Sequence, residues 1–592
     1  MTAFLIDNMA PIMFLALVVL LLLGYPVAFA LAFNGLAFGL LGIELGLFPS
    51  NLFQALPNRL LGIMSNETLL AIPFFTFMGL ILERSGMAED LLDTIGQLFG
   101  PVSGGLAYAV VLVGALLAAT TGVVAASVIA MGLISLPIML RYGYDRRLAS
   151  GVIAASGTLA QIIPPSLVLI VMADQLRVSA GDMYKGALIP GLLLTGLYLL
   201  YVLLISLVSP SSAPALPREA RTLGSGIGSL LAMLALAAAI GFGSHALLIR
   251  QGVLNAGIWA AVIATLASYA LAVLSRGLRL NFLSRLTEQV IIVLIPPLAL
   301  VFLVLGTIFV GIATPTEGGA MGAAGAIALA AAKRRLGFTM MRQAVESTAK
   351  LSAFVIFILI GARVFSLTFY GVNGHLWVEH LLISLPGGEI GFLVVVNALV
   401  FVLAFFLDFF ELAFIIIPLL GPAAERLGID PIWFGVLLGI NIQTSFMHPP
   451  FGFSLFYLRS VAPRQVYRDK LTGLRTEGVT TGQIYWGAVP FVLIQIVMIG
   501  ITIAFPQMVM HYRDAPTTQD ADIEIRLPSF GTTGPAPQVP AAPNLDGPPL
   551  LGQTGPGDLS QPPSFGQPEP DTQPAPPPSL PDLSQPPSFG PP

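Results

Sequence analysis

Polar side chains and two adjacent prolines interrupt one of the most apolar parts of the chain. The stretch NIQTSFMHPPFGFSL, residues 441–455, places Asn, Gln, Thr, Ser and His side chains before Pro449 and Pro450. A proline removes one backbone N–H and clashes with the carbonyl four residues earlier, so a helix opens at that point. The freed carbonyl oxygens and the nearby hydroxyl and amide oxygens are hard ligands, which suit Na⁺ better than a soft metal. The stretch therefore predicts a broken helix that binds a cation.

A second stretch of the chain repeats this arrangement. Residues 136–169 and 421–454 each contain a proline, a Gly-x-Asp sequence and twin prolines, and the second set lies 285 positions after the first. Tyr184 and Tyr485 begin the next apolar segment in the two copies, each followed by Gly-Ala. Two repeats with interrupted helices are typical of secondary transporters. The matched pairs are Pro137 and Pro422, Gly143 and Gly428, Asp145 and Asp430, Pro164 and Pro449, and Pro165 and Pro450.

The elements that must position these residues are predicted to be membrane-spanning helices. Of the 592 residues, 56% are hydrophobic and only 10% are charged, whereas a soluble protein of this size needs a more charged surface. Apolar runs long enough to cross roughly 30 Å of hydrocarbon recur from residue 10 to residue 506. The absence of cysteine excludes disulfides and Cys-ligated metals. The composition predicts an all-α polytopic membrane protein.

The distribution of arginine and lysine predicts that the two repeats cross the membrane in opposite directions. In the first repeat a basic loop precedes the broken helix, whereas in the second repeat a basic loop follows it. Because short cytoplasmic loops are enriched in Lys and Arg, the two copies are predicted to form an inverted repeat. The basic residues are Arg141, Arg146 and Arg147 in the first loop and Arg459, Arg464, Arg468, Lys470 and Arg475 in the second.

The chain divides into two membrane halves, an insertion and a tail. Closely joined apolar segments predict two helical hairpins, with tips at ATTG (119–122) and LDFFE (407–411). Residues 514–592 hold 22 of the 47 prolines and cannot bury enough apolar surface to offset the entropy of ordering them. We predict a first half at 1–208 with hairpin 104–140 and broken helix 147–173, an insertion at 209–288 with two extra helices, a second half at 289–512 with hairpin 389–424 and broken helix 432–458, and a disordered proline-rich tail at 513–592.

Three stretches carry a resemblance to a known family. They are FLDFFELAFIIIPLLGPAAERLGIDPIWFGVLLGINIQTSFMHPPFGF (406–453), GIATPTEGGAMGAAGA (311–326) and AASGTLAQIIPPS (154–166). Together they resemble the large permease subunit, of the DctM type, of tripartite ATP-independent periplasmic (TRAP) transporters. The resemblance covers roughly residues 10–208 and 288–506. It implies an inverted-repeat, elevator-type transporter of the bacterial inner membrane, not an enzyme.

The resemblance also implies partners and a driving force. A periplasmic binding protein of the DctP type would deliver a small carboxylate, such as a C4-dicarboxylate or a 2-oxo acid. A small membrane subunit of the DctQ type would accompany the chain as a separate protein within the lipid. Na⁺ would be the coupling ion, with no organic cofactor and no nucleic acid. The alternative is a stand-alone cation-coupled anion symporter of the divalent-anion elevator type, which needs no binding protein.

Site residues follow from the resemblance by position, at the hairpin tips and the broken helices. The first cation site would use Thr120, Thr121, Gly122, Ser156, Gly157, Thr158 and Pro164. The second cation site would use Asp408, Glu411, Asn441, Gln443, Thr444 and Pro449. The substrate would contact Thr121, Gly122, Ser166, Thr314, Thr316, Glu317, Thr444 and His448.

Some of these residues also have an ordinary structural interpretation. Glu317 is consistent with a cap at a helix start, and His448 with a hydrogen bond at a helix end. Asp408 and Glu411 lie three residues apart in an apolar run, where charge is costly unless a wet cavity or a loop solvates it. The first hairpin tip, ATTGVVAAS, departs from the family pattern because it contains no acidic residue.

Overall fold

The computed structural model shows a helical body that is interrupted where the prolines predict. It describes residues 2–513 apart from 123, 225, 254–255, 280–281, 406, 470–472 and 474, and the side chains of 2, 120 and 121 also lie outside the description. The predicted tail, beyond Arg513, lies outside the described residues. In the described part, eight helices are long and apolar enough to span a membrane, and two bent helix pairs add up to two more. The all-α membrane fold class is confirmed.

The helices of the two halves follow each other in the same order. The first half contains α1 (Thr2–Asp7), α2 (Met9–Leu22), α3 (Val27–Glu44), α4 (Leu56–Met64), α5 (Glu67–Arg84), α6 (Met87–Phe99), α7 (Gly105–Thr121), α8 (Val124–Arg141), α9 (Arg146–Thr158), α10 (Leu167–Leu176) and α11 (Ala180–Val208). The inserted segment contains α12 (Ile227–Arg250) and α13 (Ala256–Leu278). The second half contains α14 (Arg285–Val310), α15 (Pro315–Ala332), α16 (Phe338–Gly371), α17 (Gly374–Ile383), α18 (Gly388–Leu403), α19 (Phe409–Ile415), α20 (Ile417–Arg426), α21 (Pro431–Gln443), α22 (Phe453–Val461), α23 (Thr481–Ala504) and α24 (Gln507–Met510).

Both proline pairs separate two helices, and the two interruptions have the same design. Helix α9 ends in a 3-10 turn at Leu159–Gln161 before α10, and α21 ends in a 3-10 turn at Thr444–Phe446 before α22. Each helix before the break begins at an aspartate N-cap, since Asp145 and Asp430 accept hydrogen bonds from the N–H groups two and three residues later. The peptide bond within each proline pair is cis.

Serine and tyrosine side chains hold both breaks in the same way. The Ser166 hydroxyl donates to the Gln161 carbonyl over 2.5 Å, and the Ser454 hydroxyl donates to the Phe446 carbonyl. Gln161 and Phe446 are themselves 285 positions apart. The hydroxyl of Tyr184 donates to the backbone oxygen directly after the first proline pair at 3.4 Å. The hydroxyl of Tyr485, its counterpart in the second half, donates to the carbonyl oxygen of Pro450 in the second proline pair at 3.2 Å. The serine contacts satisfy the Gln161 and Phe446 carbonyls, which Pro165 and Pro450 deprive of helical partners. The tyrosine contacts tie α11 and α23 to the two breaks.

Ion pairs join the two basic loops on one side of the membrane. Arg141 pairs with Asp469, and Arg146 pairs with Glu477, both over 2.9 Å. The segment after α22 also forms a short antiparallel pair of strands, β1 (Tyr467–Arg468) and β2 (Arg475–Thr476), which the sequence did not predict. At the other end of the second broken helix, Arg513 pairs with its N-cap aspartate. The contacts agree with the inverted orientation that the arginine distribution predicts.

Helices from one half pack against helices from the other. Helix α3 packs on α16 and α15 packs on α5, while α23 packs on α9 and α11 on α21. The α9–α23 contact is so close that a β-carbon at Gly151 would lie 2.0 Å from the carbonyl oxygen of Gly487. A β-carbon at Gly487 would in turn lie 2.1 Å from the carbonyl oxygen of Arg147. Only glycines permit this approach, which carries the first broken helix against the second half.

Candidate substrate and cation site

A cavity of about 310 Å³ lies where the hairpin tips meet the broken helices. The hairpin tips contribute Gly122 and Asp408, and the two breaks contribute Gln161 and Phe446. Gly122 adopts a left-handed conformation (φ 58°), which ends α7 and turns the chain towards α8. Helix α16 closes the cavity from another side through Leu351 and nearby residues. Five segments, which are separate in sequence, therefore meet around one space.

The two breaks contact each other directly through a pair of equivalent residues. The Nε2 of Gln443 donates to the Oγ1 of Thr158 over 3.1 Å, and both side chains are buried. These residues are 285 positions apart, which is the offset of the repeat. Equivalent residues in a two-fold arrangement meet only beside the axis, so the pseudo-two-fold axis passes between the breaks. Tyr198, which accepts a 2.9 Å hydrogen bond from Gln495, lies beside Thr158 and extends the buried polar network.

Several buried oxygens at the breaks have no hydrogen-bond partner among the described residues. They are Oε1 of Gln161, Oδ1 of Asn441, Oε1 of Gln443 and Oγ of Ser445. The great majority of buried polar atoms in proteins have a hydrogen-bond partner, because an unpaired one costs free energy. A cluster of unpaired oxygens at two equivalent breaks is therefore evidence for a ligand that interacts with oxygen, either a cation or a polar substrate group.

The second hairpin is fastened to the second break by Asn397, which the sequence analysis did not select. The Nδ2 of Asn441 donates to the carbonyl oxygen and to Oδ1 of Asn397, over 2.8 and 3.0 Å. The Nδ2 of Asn397 donates to the Leu393 carbonyl one turn earlier. A single amide within the apolar helix α18 was the available signal, since such a residue inside a membrane segment usually has a partner.

Comparison with known proteins agrees with this architecture. Residues 14–281 and 209–508 match the family described as the DctM component of tripartite ATP-independent periplasmic transporters. The chain belongs to this family. As a DctM-type TRAP large permease, it is a multi-pass protein of the bacterial inner membrane. The resemblance inferred from the sequence is confirmed.

Several curated proteins are similar to this permease over most of their length. The C4-dicarboxylate TRAP transporter large permease protein DctM of Pseudomonas aeruginosa is 28% identical, with 78% of this chain and 89% of that protein covered. The 2,3-diketo-L-gulonate TRAP transporter large permease protein YiaN of Escherichia coli is 25% identical, with 74% and 87% covered. The sialic acid TRAP transporter large permease protein SiaM of Vibrio cholerae is 25% identical, with 75% and 87% covered.

The residues proposed for the first cation site lie at the first break or its hairpin. The hydroxyls of Ser156 and Thr158 donate to carbonyls of their own helix, at 2.6 and 2.8 Å, so both oxygens can act as acceptors. Thr158 already accepts from Gln443. A β-carbon at Gly157 would lie 2.3 Å from the Val128 side chain, so this glycine lets α8 approach the break. Pro164 is the first of the twin prolines. The side chains of Thr120 and Thr121 lie outside the described residues.

The acidic pair of the second hairpin forms a reciprocal cap on α19. The backbone N–H of Glu411 donates to Asp408 Oδ1 over 2.9 Å, and the N–H of Asp408 donates to Glu411 Oε2 over 2.8 Å. This capping box explains the spacing of the pair without any ion. Asp408 nevertheless lines the cavity, so one carboxylate both caps the helix and faces the site.

The other residues proposed for the second break divide into two groups. The Thr444 hydroxyl donates to the Asn441 carbonyl over 2.6 Å, within the break, and Pro449 forms its end. His448 lies between Phe401 and Phe405, with ring centroids 4.2 and 4.3 Å away. Both nitrogens of His448 are buried without a hydrogen-bond partner among the described residues. The hydrogen bond at a helix end is therefore not observed. His448 is also not one of the described residues that line the cavity, so its contact with the substrate stays a prediction.

The TPTE residues lie at the start of α15 and do not line the cavity. Thr314 and Glu317 form a capping box in which the Thr314 N–H donates to Glu317 Oε2 over 2.8 Å. The Thr316 hydroxyl donates to the Glu67 carbonyl over 2.6 Å, which joins α15 to α5. Ser166 caps α10 and closes the first break, and it is likewise absent from the cavity wall. For all four residues, contact with the substrate stays a prediction.

Proposed function

We propose that this permease takes up a small organic acid by using a sodium gradient, with the acid delivered by a periplasmic binding protein of the DctP type. A small membrane subunit of the DctQ type would complete the transporter. The proposal depends above all on the unpaired buried oxygens at two equivalent helix breaks beside one cavity. The named relatives support the substrate class, because C4-dicarboxylates, sialic acid and diketogulonate are all organic acids.

The oxygens at the breaks suit Na⁺. No group of three or more His, Asp or Glu side chains in the described part of the chain could hold a metal ion. A cation at the breaks would therefore depend mainly on amide, hydroxyl and backbone oxygens, which suit a hard cation. Ser156, Thr158 and Gln161 would serve the first break, while Asn441 and Gln443 would serve the second. Movement of the bound Na⁺ down its gradient would drive uptake.

The inverted repeat supports alternating access by an elevator movement. We assign the moving part to the two hairpins and the two broken helices, which enclose most of the cavity. The fixed part would be the cross-packed pairs α3–α16 and α5–α15. Inverted repeats let one structure adopt two states, related by the pseudo-two-fold axis, around a shared site. The proposal requires the cavity to face opposite sides of the membrane in turn.

A matched pair of aspartate variants tests the sodium proposal. Asp408→Asn keeps the capping acceptor at the second hairpin tip but removes the charge that faces the cavity. Asp145→Asn makes the same change at an N-cap of α9 and serves as the control. In proteoliposomes that contain the small subunit and receive the binding protein, Asp408→Asn should need at least about tenfold more Na⁺ for half-maximal uptake, which corresponds to the loss of about 1.4 kcal/mol. Identical sodium curves for both variants and the parent protein would remove Asp408 from the site.

Leaving out one component separates the tripartite transporter from a stand-alone symporter. Uptake is measured with and without the binding protein, at equal concentrations of the acid and of Na⁺. The proposed function predicts that uptake depends on the binding protein. Undiminished uptake in its absence would support the symporter instead, and a lack of sodium dependence in both conditions would reject the coupling ion.

A further inference from the structure

Aromatic side chains form much of the cavity wall. Apolar residues of both hairpins and both broken helices fill most of the wall, and none of the described lining residues is Lys, Arg or His. A dicarboxylate bound here would lose the hydration of two charges without meeting a basic side chain. The six aromatic residues are Phe354, Phe409, Phe410, Phe446, Phe453 and Tyr457.

The polar part of the wall is small and lies towards the first break. Gln161 is only 2% exposed. Its Nε2 can donate to a carboxylate, whereas its Oε1, which has no partner among the described residues, is an acceptor and suits a cation. Leu167 and Val168 bring the first turn of α10 to the same part of the wall, where the Ser166 hydroxyl already accepts from the N–H groups of Val168 and Leu169. The acidic side chain of Asp408 also faces the cavity and repels further negative charge. This wall provides for one carboxylate and not for two.

We propose that the substrate is a monocarboxylate with an aromatic or similarly bulky apolar body. The inference rests on the proposed transport function and specifies its substrate class. The carboxylate would lie beside Gln161 and the start of α10, and the apolar body would contact the aromatic wall. A cavity of about 310 Å³ is at the lower end of the range for ligand pockets, roughly 300–1,000 Å³. An acid with one ring fits this size better than a large polyhydroxylated acid does.

Phenylpyruvate and pyruvate share the 2-oxo acid group and differ by one phenyl ring, so their comparison tests the inference. The full chain and its small subunit are reconstituted in liposomes loaded with phenylpyruvate, the binding protein and Na⁺ are supplied outside, and counterflow of labelled phenylpyruvate is measured against unlabelled phenylpyruvate, pyruvate or succinate. Burial of one ring should make phenylpyruvate at least tenfold more effective than pyruvate as a competitor. Succinate should be weaker than phenylpyruvate by a similar factor. Equal or stronger competition by succinate would overturn the inference.

Two phenylalanines on α16 give a matched pair of variants. Phe354 lines the cavity and Phe357 does not, yet both are 45% exposed. Each also forms an edge-to-face pair, with Phe410 and Phe29 respectively. Phe354→Ala should weaken competition by phenylpyruvate about three- to tenfold and leave pyruvate unchanged, because one aromatic contact is lost. Phe357→Ala should change neither value, and equal effects of both variants on phenylpyruvate would overturn the inference.

The outcomes distinguish this inference from the proposed function. Counterflow of pyruvate or succinate that depends on Na⁺, without a preference for phenylpyruvate, would leave the transport function standing and reject the aromatic substrate class. Phenylpyruvate counterflow no faster than in loaded liposomes without protein, while pyruvate or succinate exchanges, would be passive permeation and would also reject that class. If none of the three acids exchanges although the binding protein and Na⁺ are supplied, both proposals fail.

Discussion

The hydrogen bond between Thr158 and Gln443 can be tested with a double-mutant cycle. Thr158→Val removes the hydroxyl with little change of shape, and Gln443→Met removes the amide from a side chain of similar length. Both positions are buried, and the bond between them is 3.1 Å long. Since these residues come from equivalent breaks, their coupling free energy reports directly whether the two repeats meet at the centre of the protein.

The structure gives different expected costs for the two single variants. Thr158→Val leaves the buried Nε2 of Gln443 without its acceptor, so it should lower the free energy of unfolding by about 1–3 kcal/mol. In Gln443→Met the Thr158 hydroxyl keeps its bond to the Ala155 carbonyl, and a buried oxygen without a partner is removed. That variant should cost only about 0.5–1 kcal/mol. The double variant leaves neither group unpaired and should fall short of the sum by about 1 kcal/mol.

Equilibrium unfolding in mixed micelles, followed by tryptophan fluorescence, measures these differences. The experiment uses sodium-free buffer, because a bound cation would add its own contribution to stability. A control cycle combines Gln443→Met with Thr265→Val on α13, where the Thr265 hydroxyl also bonds to its own helix at 2.8 Å. The control cycle should be additive to within about 0.3–0.5 kcal/mol. Additivity in the Thr158 cycle as well would refute the contact between the breaks.

Three further predictions concern orientation, packing and capping. The chain has no cysteine, so a single introduced cysteine reports its own side of the membrane. Glu477→Cys should react with an impermeant maleimide only from the cytoplasmic side, and Glu425→Cys only from the periplasmic side. Labelling of both from the same side would contradict the inverted repeat. Gly487→Ala should lower the melting temperature because its β-carbon would lie 2.1 Å from a backbone oxygen of α9, whereas Gly500→Ala on the same helix meets no atom within 4 Å and should not. Asp408→Ala should cost about 1 kcal/mol of unfolding free energy through the lost cap, while Asp408→Asn should retain most of it, and equal losses would show that charge matters more than capping.

The helix breaks could be predicted from sequence because proline acts locally. The twin prolines open a helix whatever surrounds them, and the regular offset of 285 positions identified the two copies before any contact was known. The Gly-x-Asp sequences helped only to align the two copies, and the structure adds that their aspartates, Asp145 and Asp430, are the N-caps of the two broken helices. The loop arginines were equally informative because membrane orientation depends on their count and not on their partners.

The partners of the polar residues were not predictable, since they depend on tertiary contacts. Asn397 has no neighbouring motif, and only the folded hairpin brings it to Asn441. The TPTE sequence suggested ligands, but a threonine followed three residues later by glutamate is also the pattern of a capping box, which Thr314 and Glu317 form. Sequence alone cannot decide between these two roles, because both use the same side-chain oxygens.

The differences between the repeats are as informative as their likeness. Gln161 and Phe446 occupy equivalent positions, and both line the cavity, yet one is an amide and the other a ring. Equivalent backbones therefore present a polar wall at the first break and an aromatic wall at the second. A symmetric ligand with a carboxylate at each end would gain nothing from such a pair, whereas an acid with one charged end and one apolar end matches both walls in a single orientation. The difference between the two breaks thus predicts the orientation of the substrate, with its carboxylate at the first break and its apolar end at the second.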